Sequence, residues 1–116
     1  MQDALDRGIQ LFNEHAFFEC HEVLEAAWIT ERGRRRWFLQ ALIHLAVGFY
    51  HQERGNRAGA TRQLRKGLKK LASYLPSSEG VDTWALYSEA TGCLEAVERG
   101  EPLTTIPAIR SWSARL

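Results

Sequence analysis

The sequence predicts an all-α fold, a compact bundle of about five helices built from antiparallel helix pairs. Two observations carry this prediction. Apolar residues recur at three- and four-residue spacing along most of the chain, and Gly, Pro or Asn residues interrupt that pattern where helices should end. The length of 116 residues is close to the commonest size of one domain, so we expect a single helical domain over 1–116.

The first three predicted helices follow one another with short connections. The first covers about 3–14, the second about 17–30 and the third about 35–54. Within the third, the segment 37–50 is apolar on nearly every side, which is typical of a central, most buried helix. A bilayer span needs about 20 apolar residues. This segment has fourteen and is therefore predicted to be a core helix rather than a membrane helix.

The second half of the chain has clear start and stop signals. Asn56 is a good N-cap for a fourth helix that runs to about 74, and a Pro- and Ser-rich loop follows it. The fifth helix covers about 82–99, with Asp82 as its N-cap and Gly100 as its C-terminal stop. The tail 101–116 contains scattered apolar residues, and it either packs back on the bundle or stays loose.

The chain matches itself weakly when it is shifted by forty residues. This shift places Leu5, Gly8 and Leu24 on Leu45, Gly48 and Leu64. Small residues at helix contacts and a turn at His15 or Gly55 are the pattern of tetratricopeptide-like hairpins. Two such units are fewer than the roughly three that a solenoid needs. Chance matches among common residues explain the pattern equally well, so both interpretations stay open.

Composition and charge exclude several classes of function. The net charge of +1 and a pI near 7.9 give no global field that favours nucleic acid or an acidic membrane. Two cysteines, Cys20 and Cys93, do not suggest a disulfide scaffold. The N-terminal segment lacks a basic start followed by an apolar run, so we expect no secretion signal. A cytoplasmic location with reduced thiols follows as an expectation.

The second helix carries two ionisable residues among its apolar ones. With about 100° between successive residues, His21 and Glu25 lie one turn apart and inside the arc that contains Phe17, Leu24 and Trp28. An isolated buried carboxylate is costly unless it is paired, hydrogen-bonded, protonated or bound to a metal. The sequence therefore predicts that His21 and Glu25 face the core and have a partner there.

The third helix offers such a partner. Its apolar surface is interrupted by a polar line of Gln40, His44 and His51, which lie within about 40° of one another around the helix. If this line faces the second helix, a buried His/Glu pocket forms, with His21, Glu25 and His51 at its centre. Trp28, Gln40, His44 and Tyr50 are then supporting residues. If the line faces solvent, it is only the polar edge of a core helix.

Two interpretations of the pocket stay open. Imidazoles and a carboxylate suit Zn, Fe, Ni or Mn, and a His-x-x-x-Glu spacing lets both side chains reach one ion, so a divalent-metal or small-ligand site is one interpretation. The other is a hydrogen-bonded network that only fixes helix packing. Because Glu25 occupies the position of the second His in the HExxH motif, a zinc-peptidase site is not predicted. The catalytic residues and the substrate are not determined.

Rival functions come from other surfaces. A helical interaction module would present a groove to a partner chain, and the four tryptophans leave room for a homo-oligomer. The fourth helix has a basic face, which suggests a nucleic-acid accessory protein, although a solvated amphipathic face is the more ordinary explanation. The basic residues are Arg62, Arg65, Lys66, Lys69 and Lys70.

The segments FNEHAFFECHEVLEAAW and FLQALIHLAVGFYHQERGNRAGA resemble the bacterial and archaeal domain-of-unknown-function 309 family over roughly residues 5–75. The family is marked by a His-x-x-x-Glu-x-x-Trp motif, which His21, Glu25 and Trp28 match. The resemblance implies a small all-helical fold, and its motif has the form of a metal or ligand site. Two positions depart from the family pattern. His15 stands where members commonly have Gly, and His44 where they commonly have Gln, so the resemblance favours His51 over His44.

Overall fold

The computed structural model describes residues 3–112, and five α-helices account for most of that range. Helix α1 is Ala4–Asn13, α2 is Phe17–Thr30, α3 is Arg35–Glu53, α4 is Arg57–Leu71 and α5 is Thr83–Glu98. The prediction of an all-α bundle of five helices is confirmed. The fourth helix ends at Leu71 and continues as a 3-10 turn, Ala72–Tyr74.

The predicted helix caps are present. The Asn56 side chain accepts from the backbone N–H of Gly59 at the start of α4, and the Asp82 side chain accepts from that of Ala85 at the start of α5. Gly100 follows α5 with a φ of 74°, the left-handed conformation that ends many helices. Local capping chemistry therefore accounts for these boundaries.

Each helix packs against the next one in the chain, and α3 lies in the middle of this series. Its side chains Phe38, Leu39, Leu42, Leu45 and Phe49 are fully buried. At one end of the core the rings of Phe12, Phe17 and Phe49 meet, with centroids 5.1 to 5.9 Å apart. These rings join α1, α2 and α3. In the described range no helix is long and apolar enough to cross a membrane.

The forty-residue repeat corresponds to two equivalent contacts. A Cβ atom on Gly8 would lie 2.4 Å from Leu24 Cδ2, and one on Gly48 would lie 2.8 Å from Leu64 Cδ2. The turns are equivalent too, because His15 has a φ of 62° and Gly55 a φ of 75°. The pairs α1–α2 and α3–α4 therefore share one design, in which glycine on the first helix admits leucine from the second.

The loop after the 3-10 turn contains a small hairpin that the sequence did not predict. Strand β1, Ser77–Ser78, pairs antiparallel with β2, Val81–Asp82. The two residues between them, Glu79 and Gly80, both have positive φ, as a type I′ turn requires. Positive φ at a glutamate is uncommon, so Glu79 is a weak signal for this turn in the sequence.

The tail lies against the bundle as far as the structure describes it. The N–H of Asp82 donates to Arg110 O, and the N–H of Trp112 donates to Gly80 O, so the tail extends the hairpin. The side chain of Asn13, at the end of α1, accepts a hydrogen bond from the Ile109 N–H at 2.7 Å and donates one to Ile109 O at 3.0 Å. The Ile109 side chain is buried. The tail residues 113–116 lie outside the described residues.

We expect Gly8→Ala to destabilise the protein by about 1–3 kcal/mol, because the new methyl overlaps the buried Leu24 side chain. Gly92→Ala is the matched control. Gly92 lies in α5 with no atom within 4 Å of an added Cβ, so alanine there should stabilise by roughly 0.5–1 kcal/mol through helix propensity. Urea unfolding of both variants measures the two effects, and a neutral Gly8→Ala would contradict the close contact.

Asn13→Ala should release the tail. The change leaves the N–H and C=O of Ile109 without partners, which costs about 1–3 kcal/mol. Tryptic cleavage after Arg110 should become faster. Asn13→Asp keeps an acceptor oxygen for the Ile109 N–H, so its cleavage rate should lie between that of the unchanged chain and that of Asn13→Ala. Unchanged cleavage in Asn13→Ala would show that the tail is held by other contacts.

Candidate functional site

The two ionisable residues of α2 are bonded to each other. His21 Nε2 lies 2.6 Å from Glu25 Oε2, one helical turn away. Because a carboxylate can only accept, the Nε2–H of His21 is the donor. In the neutral ring Nδ1 then carries the lone pair. The partner of each residue is therefore the other one, on the same helix.

The predicted burial of this pair is wrong. The His21 side chain is 27% exposed and that of Glu25 is 45% exposed. The buried line of α2 consists of Phe17, Cys20 and Leu24, and both ionisable residues lie at its edge. At about 100° per residue, Glu25 falls roughly 80° from Phe17, on the side of the exposed Phe18. The pair lies at the rim of the core, where water reaches it.

A small cavity lies between α2 and α3 beside this pair. It has a volume of about 160 Å³. Its walls are Phe17, Phe18 and His21 from α2 and Val47, Tyr50 and His51 from α3. Two imidazoles and the phenol are the polar parts of an otherwise apolar wall. His21 and His51 therefore border one cavity.

His51 is positioned by the start of the next helix. Its Nδ1 lies 3.3 Å from Asn56 Nδ2, and its backbone C=O accepts from the Asn56 N–H at 2.8 Å. Since an amide nitrogen can only donate, Nδ1 of His51 is the acceptor and the neutral ring has its proton on Nε2. Asn56 also caps α4. The cap thus fixes both the helix and the tautomer of His51.

The polar line of α3 does not face one neighbour, as the first interpretation of it required. His51 borders the cavity with α2, whereas Gln40 and His44 border a separate cleft with α4. His44 Nδ1 lies 2.7 Å from Gln63 Oε1 of α4. Positions 44 and 51 are about 10 Å apart along the axis, and packed helices cross at an angle, so one stripe meets different helices at its ends.

The two aromatic supporting residues have different surroundings. Tyr50 lines the cavity, and its ring lies 5.5 Å from that of Phe18. Trp28 is not among the lining residues. The guanidinium of Arg36 lies 4.1 Å from the Trp28 ring and donates to the Trp28 backbone C=O at 2.8 Å. Trp28 therefore joins the end of α2 to the start of α3 through Arg36.

Neither cysteine is an activated nucleophile. Burial raises the pKa of the Cys20 thiol to about 12 and also raises the pKa of Cys93. Both are free and buried, so both remain thiols at neutral pH. Neither of them is among the residues that line the cavity.

The three predicted metal ligands do not form a ready ligand set. Among residues 3–112, no group of three or more His, Cys, Asp or Glu side chains could hold a metal ion in this arrangement. His21 Nε2 is already bonded to Glu25. In this arrangement the described residues thus present no assembled three-ligand site, and metal binding by His21, Glu25 and His51 stays a prediction.

Sequence reasoning missed the apolar half of the cavity and the residue that holds His51. Phe18 and Val47 line the cavity, but their spacing looks the same as that of core residues. The sequence identifies Asn56 only as a helix cap. The available signal was its position five residues after His51, directly after Gly55, whose positive φ turns the chain so that the Asn56 amide reaches the His51 ring.

Comparison with known proteins places this site in a family. A family model described as "Domain of unknown function (DUF309)" matches residues 5–63, which include all three residues of the candidate site. The chain is 35% identical over 69 residues to the "Uncharacterized protein YpuF" of Bacillus subtilis (strain 168). The match covers 58% of this chain and 39% of that relative. With more than half of its residues inside the family model, the chain belongs to the DUF309 family.

Proposed function

We propose that the chain binds a small organic ligand in the cavity between α2 and α3, with His21 and His51 as its polar contacts. One observation carries the proposal. Two imidazoles, each fixed by a partner outside the cavity, border the same small apolar space. A few placed polar groups on an apolar wall are the usual composition of a ligand site.

The tautomers define the chemistry of the ligand. His21 has its Nε2–H bonded to Glu25, so its neutral ring offers an acceptor at Nδ1. His51 accepts from Asn56 at Nδ1, so its ring offers a donor at Nε2. One donor and one acceptor suit a molecule with an alcohol, carboxylic acid or amide group. A dry cavity of about 150 Å³ holds a benzene-sized molecule, which sets the size of the ligand body.

A hydrolytic role is an extension of the same proposal. A carboxylate bonded to one nitrogen of an imidazole orients the ring so that the other nitrogen can act as a general base. The extension assigns His21 as the base and Glu25 as the positioning residue. The metal hypothesis, with Zn, Fe, Ni or Mn, is an alternative to this extension, because it needs the same nitrogens of His21 and His51.

The predicted cytoplasmic location is consistent with the two free thiols of Cys20 and Cys93.

The experiment that tests the proposal follows the imidazole nitrogens by ¹⁵N NMR while phenol, isobutyric acid and isobutyramide are titrated. A ligand in the cavity should shift the signals of His21 and His51 together and leave those of His44 unchanged, because His44 borders another cleft. A parallel titration with ZnCl₂ tests the metal hypothesis. No shift at either ring with any probe, across a library of this class, would favour a purely structural His/Glu pair.

Glu25→Gln should weaken binding of the tightest probe by about tenfold, roughly 1.4 kcal/mol, because it removes the charge that holds the His21 ring. Stability should fall by less than about 1 kcal/mol, since water reaches the pair and screens its charges. Glu22→Gln is the matched control: the same change on the same helix, at an exposed residue. Equal affinities of the two variants would contradict a role for Glu25 in positioning His21.

A further inference from the structure

A second and larger cleft lies at the other end of α3. It has a volume of about 770 Å³, within the range of roughly 300–1,000 Å³ that is usual for small-molecule sites. Trp37, Gln40 and His44 line it from α3, and Lys66, Lys69 and Lys70 line it from α4. Among the described residues that line the cleft, none is acidic.

The three lysines give the cleft an uncompensated positive charge. They lie three and four residues apart, on one face of α4. The arginines nearby are paired, since Arg35 contacts carboxylates on three other residues and Arg65 contacts Glu98. Within residues 3–112, none of the ion pairs includes Lys66, Lys69 or Lys70. Lys69 and Lys70 lie in the last turn of α4, where positive charge favours the helix, but no carboxylate of the described residues neutralises the three lysines, so they are available to an anion.

Trp37 supplies an aromatic surface next to this charge. Its side chain is 51% exposed, although tryptophan is the largest apolar residue and α3 is otherwise the most buried helix. The Nζ atom of Lys70 lies 5.7 Å from the centre of the ring. A planar group that stacks on Trp37 would therefore bring its own substituents close to the lysines.

Two hydrogen-bond acceptors complete the wall. Gln40 lines the cleft, and its buried Oε1 has no hydrogen-bond partner among the described residues, so a small turn of the side chain would let a ligand N–H satisfy it. His44 donates from Nδ1 to Gln63, so its neutral ring has an acceptor at Nε2. Burial, and then the charges of Lys70 and Lys66, lower the pKa of His44, so the neutral form is favoured.

We propose that this cleft binds a nucleotide, with its phosphates on Lys66, Lys69 and Lys70, its base on Trp37, and the N–H groups of the base on Gln40 and His44. Lysine ammonium groups bind phosphate, and aromatic side chains stack on any base. A free nucleotide fits better than a nucleic acid, because the cleft is concave and the net charge of the chain is only +1. The proposal is independent of the His21 cavity.

The test is isothermal titration calorimetry of the full chain with ATP, GTP and inorganic triphosphate, without Mg²⁺, beside a 12-nucleotide single-stranded RNA. We expect the nucleotides to bind more tightly than triphosphate. Lys69→Gln should weaken the binding of ATP, GTP and triphosphate by about tenfold each. Trp37→Leu should weaken ATP and GTP by about tenfold and leave triphosphate unchanged.

Arg62→Gln is the matched control, since it removes one positive charge from α4 at an exposed residue that does not line the cleft. It should leave nucleotide affinity unchanged, and so should Glu25→Gln at the other cavity. The proposal is overturned if the intact chain shows no heat with millimolar ATP, or if Lys69→Gln and Arg62→Gln weaken binding equally. RNA that binds more tightly than ATP and responds equally to both charge variants would assign the surface to nucleic acid instead.

Discussion

The close contact of glycine with leucine between paired helices is the constraint on which the rest of the structure depends. Gly8 admits Leu24 and Gly48 admits Leu64 at distances that no side chain on the glycine would allow. Gly67 makes a third contact of this kind with Leu45, again across α3 and α4. These contacts bring the axes of α1 and α2, and those of α3 and α4, close together and fix the position of the two helices within each pair. The walls of both cavities belong to helices held in this way.

The two helix pairs are equivalent in backbone and different in their polar residues. Both turns need a positive φ, which Gly55 adopts freely and His15 adopts less readily. At the next position the second pair has Asn56, whose side chain caps α4 and bonds to His51, whereas the first pair has Ala16, whose side chain cannot cap. The repeat therefore accounts for the packing. The departures from it account for the candidate site.

The polar residues of one stripe on α3 border two cavities, because α2 and α4 cross α3 at an angle. His51, near the end of α3, borders α2 and an apolar cavity of benzene size. Gln40 and His44, nearer its start, border α4 and a wide cleft with three lysines. The two sites differ in charge and in volume, so they suit different ligands. Three of the four histidines, His21, His44 and His51, each have one ring nitrogen bonded to a protein partner, which leaves the other nitrogen with a defined role.

The sequence by itself determined the five helices, the caps of α4 and α5 and the central position of α3, because these depend on local propensity and on apolar periodicity. It also indicated His21, Glu25 and His51 as the unusual polar residues. The bond between His21 and Glu25 joins residues one turn apart on a single helix and is therefore local. Only the tertiary structure decided that this pair lies at the rim of the core, that His44 turns to Gln63, and that Ile109 returns to Asn13. Helical periodicity gives the angle of a residue around its own axis. It does not give the crossing of a neighbouring helix or the path of a tail, and those decide which residues meet.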